Sequence, residues 1–395
     1  MARLSQHLQA ARGWLADLEA NSPFISEFAS RFAGRREADP VVVRCSILIW
    51  TFGGAMAIFV LIWAALSDFH VDRAKMAGLA ALSVTVAISC WWVRRQLALQ
   101  LQPMLVEAYT QISSISCIAV LASYEIGSLD VPYQDALLAK IDRALGFDWV
   151  AVTLLVARHE WLQGLLHFAY QSFVWQPFVV ITLLALSGAH RRLQVFMLTW
   201  VIALAIALAG LALAPAQTAW IHFGANVALP DLAAQVGTAQ STTLEALRAG
   251  GLRNLMNEPF EGIVAFPSFH TVGAVLYVWA LWARLRLPAV TLNGLMVLAT
   301  PVIGAHYFID VFAGVGVALT ALSLAQWMAG AIAAPTSSSR TALPPSRPRS
   351  PRCYTHVSPG YYRKFWTDET IPMRPEELLQ VVVRPRQIRR VVAME

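Results

Sequence analysis

Two histidines and one aspartate stand out late in the chain. His270 closes the run Phe266-Pro267-Ser268-Phe269-His270, followed by Thr271, and His306 falls within Gly304-Ala305-His306-Tyr307-Phe308-Ile309-Asp310. His306 and Asp310 are four residues apart, so on a helix they share one face. A carboxylate there accepts the imidazole Nδ1–H and leaves Nε2 free, the arrangement a nucleophilic histidine requires. Taken alone, such a pair is equally a satisfied contact inside a helix bundle. Ser268 suits a helix N-cap and Pro267 stops the helix from running backward, so His270 falls in a first helical turn. Free backbone N–H groups and the helix dipole at that turn favour an anion, and the imidazole can protonate a leaving oxygen. Both motifs open apolar segments, and ionisable groups at such depth are costly and usually functional. The combination points to phosphoryl transfer at the edge of a membrane, with Thr271 and Tyr307 as supporting hydrogen-bond partners.

The rest of the chain must position these groups. Of 395 residues, 57% are hydrophobic and only 14% charged, too few charges for a soluble surface of this size. The net charge of +6 does not imply nucleic acid, because the arginines sit at the ends of apolar runs and in the tail. A bilayer span needs roughly 20 apolar residues. Eight candidate spans satisfy or approach that length: 45–66, 77–93, 104–124, 162–187, 194–214, 270–287, 289–306 and 309–332. The expected fold is therefore all-α, a polytopic membrane bundle of about eight transmembrane helices. His306 is expected to end the seventh span or begin the eighth.

Four regions follow from the same pattern. Residues 1–40 form an amphipathic lead, either on the bilayer surface or solvated, and 41–128 hold the first membrane helices. Residues 129–334 form the catalytic core, and 335–395 form a basic, Pro-rich tail too polar to pack. Within the core, the spacing from Asp135 to Leu145 predicts an amphipathic helix lying in the membrane plane. The long polar loop 215–266 is expected to hold a short helix over 243–255. Cys45, Cys90, Cys117 and Cys353 have no metal-ligand spacing and read as inert thiols.

Charge sets the expected orientation. Arg94, Arg95, Arg191, Arg192, Arg284, Arg286 and the basic tail fall on one side, and the loops rich in Asp and Glu on the other. Both termini are thus expected in the cytoplasm, with both histidines on the non-cytoplasmic face.

These motifs resemble those of the type-2 phosphatidic acid phosphatase superfamily, which shares its site with vanadium haloperoxidases. Pro267-Ser268-Phe269-His270 is similar to its second motif, and His306 with Asp310 and Gly314 to its third. The wording Gly-x-His-Tyr-x-x-Asp looks most like the inositol phosphorylceramide synthase branch, as do Asp142 to Trp149 and Ala214-Pro215-Ala216. The resemblance implies that His306 attacks phosphorus, Asp310 orients it, and His270 exchanges protons with the leaving and incoming alcohols. It implies no metal and no other cofactor.

Two departures concern phosphate binding. The superfamily's first motif, Lys-x6-Arg-Pro, is not found, and the Ser-Arg that begins its third motif is replaced by Ala299 and Thr300. A transferring phosphoryl group needs positive charge around its oxygens. Arg248 and Arg253, in the loop leading to His270, are the favoured candidates, with Arg143 and Ser268 beside them and Lys140 and Arg158 behind.

The expected partners are a phospholipid or lipid-phosphate substrate and an alcohol acceptor or water, in a membrane-embedded protein that takes no nucleic acid. Transfer of a lipid head group is the leading expectation, and lipid phosphate hydrolysis is the alternative. A non-catalytic transporter or scaffold, lined by Gln111, His167 and Gln176, is a third reading.

Overall fold

The computed structural model describes residues 39–333, apart from 71, 98–100, 234–235, 237–238 and 255–261. The expected surface lead and basic tail lie outside the described residues. Among those described, helices α1 (Pro40–Leu66), α2 (Arg73–Leu97) and α3 (Leu101–Gly127) come first. Next are α4 (Asp135–Ala144), α5 (Trp149–Ala157), α6 (Glu160–Gln171), α7 (Gln176–Leu186) and α8 (His190–Leu213). Three single turns follow, α9 (Ala219–His222), α10 (Ala225–Ala228) and α11 (Pro230–Ala233), then α12 (Ala239–Arg248). The chain closes with α13 (Phe269–Ala299) and α14 (Phe308–Ala333). The described residues form no strand, only one isolated bridge between His70 and Asn254.

Five of these helices, α1, α3, α8, α13 and α14, are long and apolar enough to cross a bilayer, and α6 with α7 makes a sixth if the bent pair is one span. The protein is therefore a multi-pass membrane protein. Each of the eight expected segments overlaps a helix, but they are not eight uniform ones. Helix α2 has only a shorter apolar stretch, Ala74–Cys90, and α6 and α7 meet at a 53° bend.

Helix α13 needs separate treatment. Its 31 residues would reach about 46 Å if straight. Backbone at Leu285 is not helical (φ −130°, ψ 42°), between Arg284 and Arg286 and ahead of Pro288. The start of α13 and the turn that follows its end meet on one tyrosine. Tyr170 stacks on His270 with ring centroids 3.8 Å apart. A Cβ on Gly304 would lie 2.6 Å from the same ring and 2.7 Å from the Thr300 carbonyl oxygen. The chain has therefore doubled back at Leu285, and α13 is two antiparallel arms with exposed arginines at the tip. This is the hairpin expected near 287–289, with the reversal at Leu285.

Two expected boundaries move. The second arm stops at Ala299 rather than 306, because Pro301 begins a run of turns. The helix expected over 243–255 runs from Ala239 to Arg248. Gly250 takes left-handed backbone (φ 77°), and the Gly251 N–H returns to the Ala246 carbonyl at 2.9 Å, which closes the helix.

Polar contacts tie one end of the bundle together. Asp39 caps α1 through the Val41 N–H and pairs with Arg191 at 2.5 Å. Arg44 donates to the Ile332 carbonyl at 3.3 Å, and Arg192 donates to the Trp279 carbonyl. The opposite end holds the close of α3 and α8 and the starts of α13 and α14. There Gly314 permits close packing of α14 on the start of α13. A Cβ at Gly314 would lie 2.5 Å from the Ser268 carbonyl oxygen and 2.9 Å from Thr271 Cβ. Neither atom is the end of a flexible side chain. We expect Gly314→Ala to destabilise the protein by about 1–3 kcal/mol. Thermal unfolding in detergent checks this, and an unchanged midpoint would show that the packing is looser than described.

Candidate active site

His306 and Asp310 form a buried pair. His306 is 3% exposed and Asp310 0%, and Nδ1 lies 3.3 Å from Asp310 Oδ2. The same oxygen accepts the Tyr307 N–H at 2.9 Å. His306 sits in the loop before α14, not on a helix as expected, and α14 begins at Phe308. Ala305 beside it takes left-handed backbone (φ 60°), which costs a residue with a Cβ about 1–2 kcal/mol. The turn and the helix's first residues together bring imidazole and carboxylate into register.

That turn is held from a distant part of the chain. Asp142 on α4 accepts the Phe308 N–H at 2.7 Å and the Ile309 N–H at 2.8 Å. It satisfies two of the four free donors at the start of α14 from another helix. Asp135, two turns earlier, accepts the Tyr307 hydroxyl at 2.8 Å and the Gln217 N–H at 3.0 Å. The Trp149 indole donates to the carbonyls of Pro301 (3.0 Å) and His306 (3.1 Å), and the Trp220 indole to Val302 (2.7 Å). Burial pushes the Asp142 carboxyl above its ordinary range, and the two N–H donors pull it back. Burial, and then the Asp135 charge, push the Tyr307 phenol well up, so it stays a donor.

His270 occupies the first turn of α13. Ser268 caps that helix by accepting the Thr271 N–H at 3.4 Å. The Ser268 N–H in turn donates to the Asp310 carbonyl at 3.1 Å. The His270 ring lies between Tyr170 and Phe173, with centroids 3.8 and 4.3 Å away. Both histidines line one cavity of about 420 Å³, a size suited to a small ligand or part of a larger one. Its wall is mostly apolar, with Tyr170, Gln171, Gln240, Ser116 and Ser123 as polar positions. No lysine or arginine is among the described residues lining it.

The candidate phosphate ligands do not gather there. Arg248 donates to the Gly127 carbonyl at 3.2 Å and stacks on Tyr133 at 3.8 Å. Arg253 donates to the Leu247 carbonyl at 2.9 Å and lies over Phe69 at 4.9 Å. Both secure the loop rather than the cavity wall. Arg143 lines a separate cavity of about 300 Å³ with Asp142 and Asp148. Lys140 and Arg158 are exposed and line neither cavity. The buried Ser268 hydroxyl is engaged as the helix cap. Among the described residues, no group of three His, Cys, Asp or Glu side chains is placed to hold a metal ion.

Sequence reasoning missed four residues here: Asp135, Asp142, Trp149 and Tyr170. One signal pointed to the first two. The buried face of α4 is Asp135, Leu138, Ala139 and Asp142, so two acids share an otherwise apolar stripe. Tyr170 carried no such mark. Its ring stacks on His270 and it lines the cavity.

An all-helical membrane bundle that brings a paired His–Asp and a second histidine to one cavity can carry phosphoryl transfer. In comparison with known families, residues 136–324 match the PAP2 superfamily. That region runs from α4 into α14 and holds both histidines and Asp310. No curated protein and no solved structure matched the chain.

The contacts of Asp142 yield a direct test. Asp142→Ala leaves two N–H groups at the start of α14 without their acceptor, which costs about 1–3 kcal/mol. We expect a lower unfolding midpoint and a fall in kcat larger than any rise in KM. A variant with wild-type kcat would show that α4 does not position His306.

Proposed function

We propose that the protein transfers the phosphate-bearing head group of a phospholipid to an alcohol, in the manner of inositol phosphorylceramide synthases, through a phosphohistidine. His306 Nε2 attacks phosphorus, and the bond to the lipid alkoxide breaks as His270 gives that oxygen a proton. The acceptor hydroxyl then loses its proton to His270 and attacks phosphorus, and the N–P bond breaks to free His306. Asp310 holds the Nδ1–H throughout. A sphingolipid alcohol fits the acceptor role that this branch implies.

One observation carries the choice of transfer over hydrolysis. The cavity around the two imidazoles has an apolar wall and no cation among its described lining residues. A phosphodiester brings one negative charge into such a site, and a phosphomonoester brings nearly two. The lower charge is less costly to desolvate. The Arg–Asp contacts at the far end of the bundle, with the arginine tip of α13, support a cytoplasmic position for that end. The active site then faces the non-cytoplasmic side, with both termini in the cytoplasm.

The test supplies the full chain in vesicles with a phospholipid labelled in its phosphate, with and without an alcohol acceptor. Labelled product should appear only with the acceptor. Release of inorganic phosphate from labelled phosphatidate regardless of acceptor would replace transfer by lipid phosphate hydrolysis. His306→Ala should abolish turnover, and His270→Ala should lower kcat by about 10²–10⁴-fold. Full turnover by His306→Ala would show that His306 is not the nucleophile, and a cellular function that survives without any turnover would leave the non-catalytic reading.

A further inference from the structure

The catalytic cavity is recessed, and part of its wall lies outside the matched region. Ser116, Ala119, Val120 and Ser123 of α3 line it, although the family match begins only at residue 136. These positions lie four to eleven residues before the end of α3 at Gly127, or about 6–16 Å down the helix. That is hydrocarbon depth for a helix that crosses the bilayer. The floor is closed by the Trp200 indole, which donates to Ser116 Oγ at 3.2 Å.

The cavity also reaches the outer surface of the bundle. Val174 lines it and is 64% exposed. It sits in the break between α6 and α7, where the pair bends by 53°. Exposed Trp175 and Phe178 stand beside it, with exposed Gln171 three residues before it, so the rim is mostly apolar. An aqueous substrate would have no use for an opening there. A bilayer lipid would, because its hydrocarbon can stay among apolar groups while its head reaches a histidine that is almost fully buried.

We propose that the opening at the α6–α7 break admits the substrate lipid sideways, and that α3 forms the wall against which one of its hydrocarbon chains rests. Val174 marks the mouth, and Val120 and Ala119 form the wall. Trp200 with Ser116 limits the depth. This rests on the phosphoryl-transfer reading for its head-group end, and it names the feature that selects the hydrocarbon end. It assigns α3, a helix outside the superfamily core, a role in substrate selection.

The experiment uses the full chain in phospholipid vesicles that contain a phospholipid with a photoreactive diazirine on one acyl chain. After illumination, labelled residues are mapped by peptide mass spectrometry. Labels are expected at Val174 and within 116–123, beside those on the outer helix faces. They should persist in His306→Ala, which removes the nucleophile and not the wall. Val120→Phe should lower labelling within the cavity, and should lower kcat/KM for a long-chain phospholipid relative to a short-chain one by about tenfold. Val174→Trp, at an exposed position, repeats the test if Val120→Phe does not fold. Labels confined to outer faces such as Ile58 and Leu82 would overturn the proposal, as would an unchanged chain-length ratio in both variants. Cavity labelling without any turnover would instead reject the transfer reading and leave the chain site standing.

Discussion

One residue holds both histidines. The Asp310 carboxylate is out of contact with water; its hydrogen bonds gather on one oxygen, and Oδ1 has no partner among the described residues. Oδ2 takes them from His306 Nδ1 and the Tyr307 N–H. The backbone carbonyl of the same residue takes the Ser268 N–H, and Ser268 caps the helix that begins at His270. The two imidazoles are thus referred to a single point at the start of α14. Gly314, one turn further on, lets that point approach the Ser268 carbonyl.

The bundle supplies what this arrangement lacks. A turn with one residue in left-handed backbone would not hold its shape alone. Four groups from α4, α5 and α9 close it: two carboxylates on its N–H and hydroxyl donors, and two indoles on its carbonyls. Each contact satisfies a buried polar group, so polar satisfaction and catalytic geometry are achieved by the same bonds. The doubling of α13 at Leu285 brings the ends of its two arms to one level. The arginines are left at the far end, which separates the positive tip from the uncharged reaction chamber.

Much of this was legible in the residues. Ser268 and Pro267 announced a helix start, and the His306–Asp310 spacing announced a pair. The hairpin was legible because Arg284 and Arg286 interrupt an apolar run. The remainder depended on contacts far apart in the chain. Asp142 meets Phe308 across 166 residues, and no local pattern encodes that partner. The acids of α4 looked like the polar side of a surface helix and are its buried side. Arg248 and Arg253 were favoured for phosphate because their loop leads to His270. A charged side chain's partner depends on three-dimensional neighbours, and here those are backbone carbonyls and aromatic rings.

The proposed reaction requires the His306 imidazole, oriented by Asp310 and sharing one cavity with His270, to attack phosphorus. The most direct measurement is a rapid acid-free quench of the full protein during turnover of phosphate-labelled phospholipid, followed by mass mapping of the labelled peptide. The account predicts an alkali-stable, acid-labile phosphoryl adduct on His306 that appears and decays at catalytically competent rates. Continued turnover with the adduct on another residue, or with direct transfer and no adduct at any time, would contradict it.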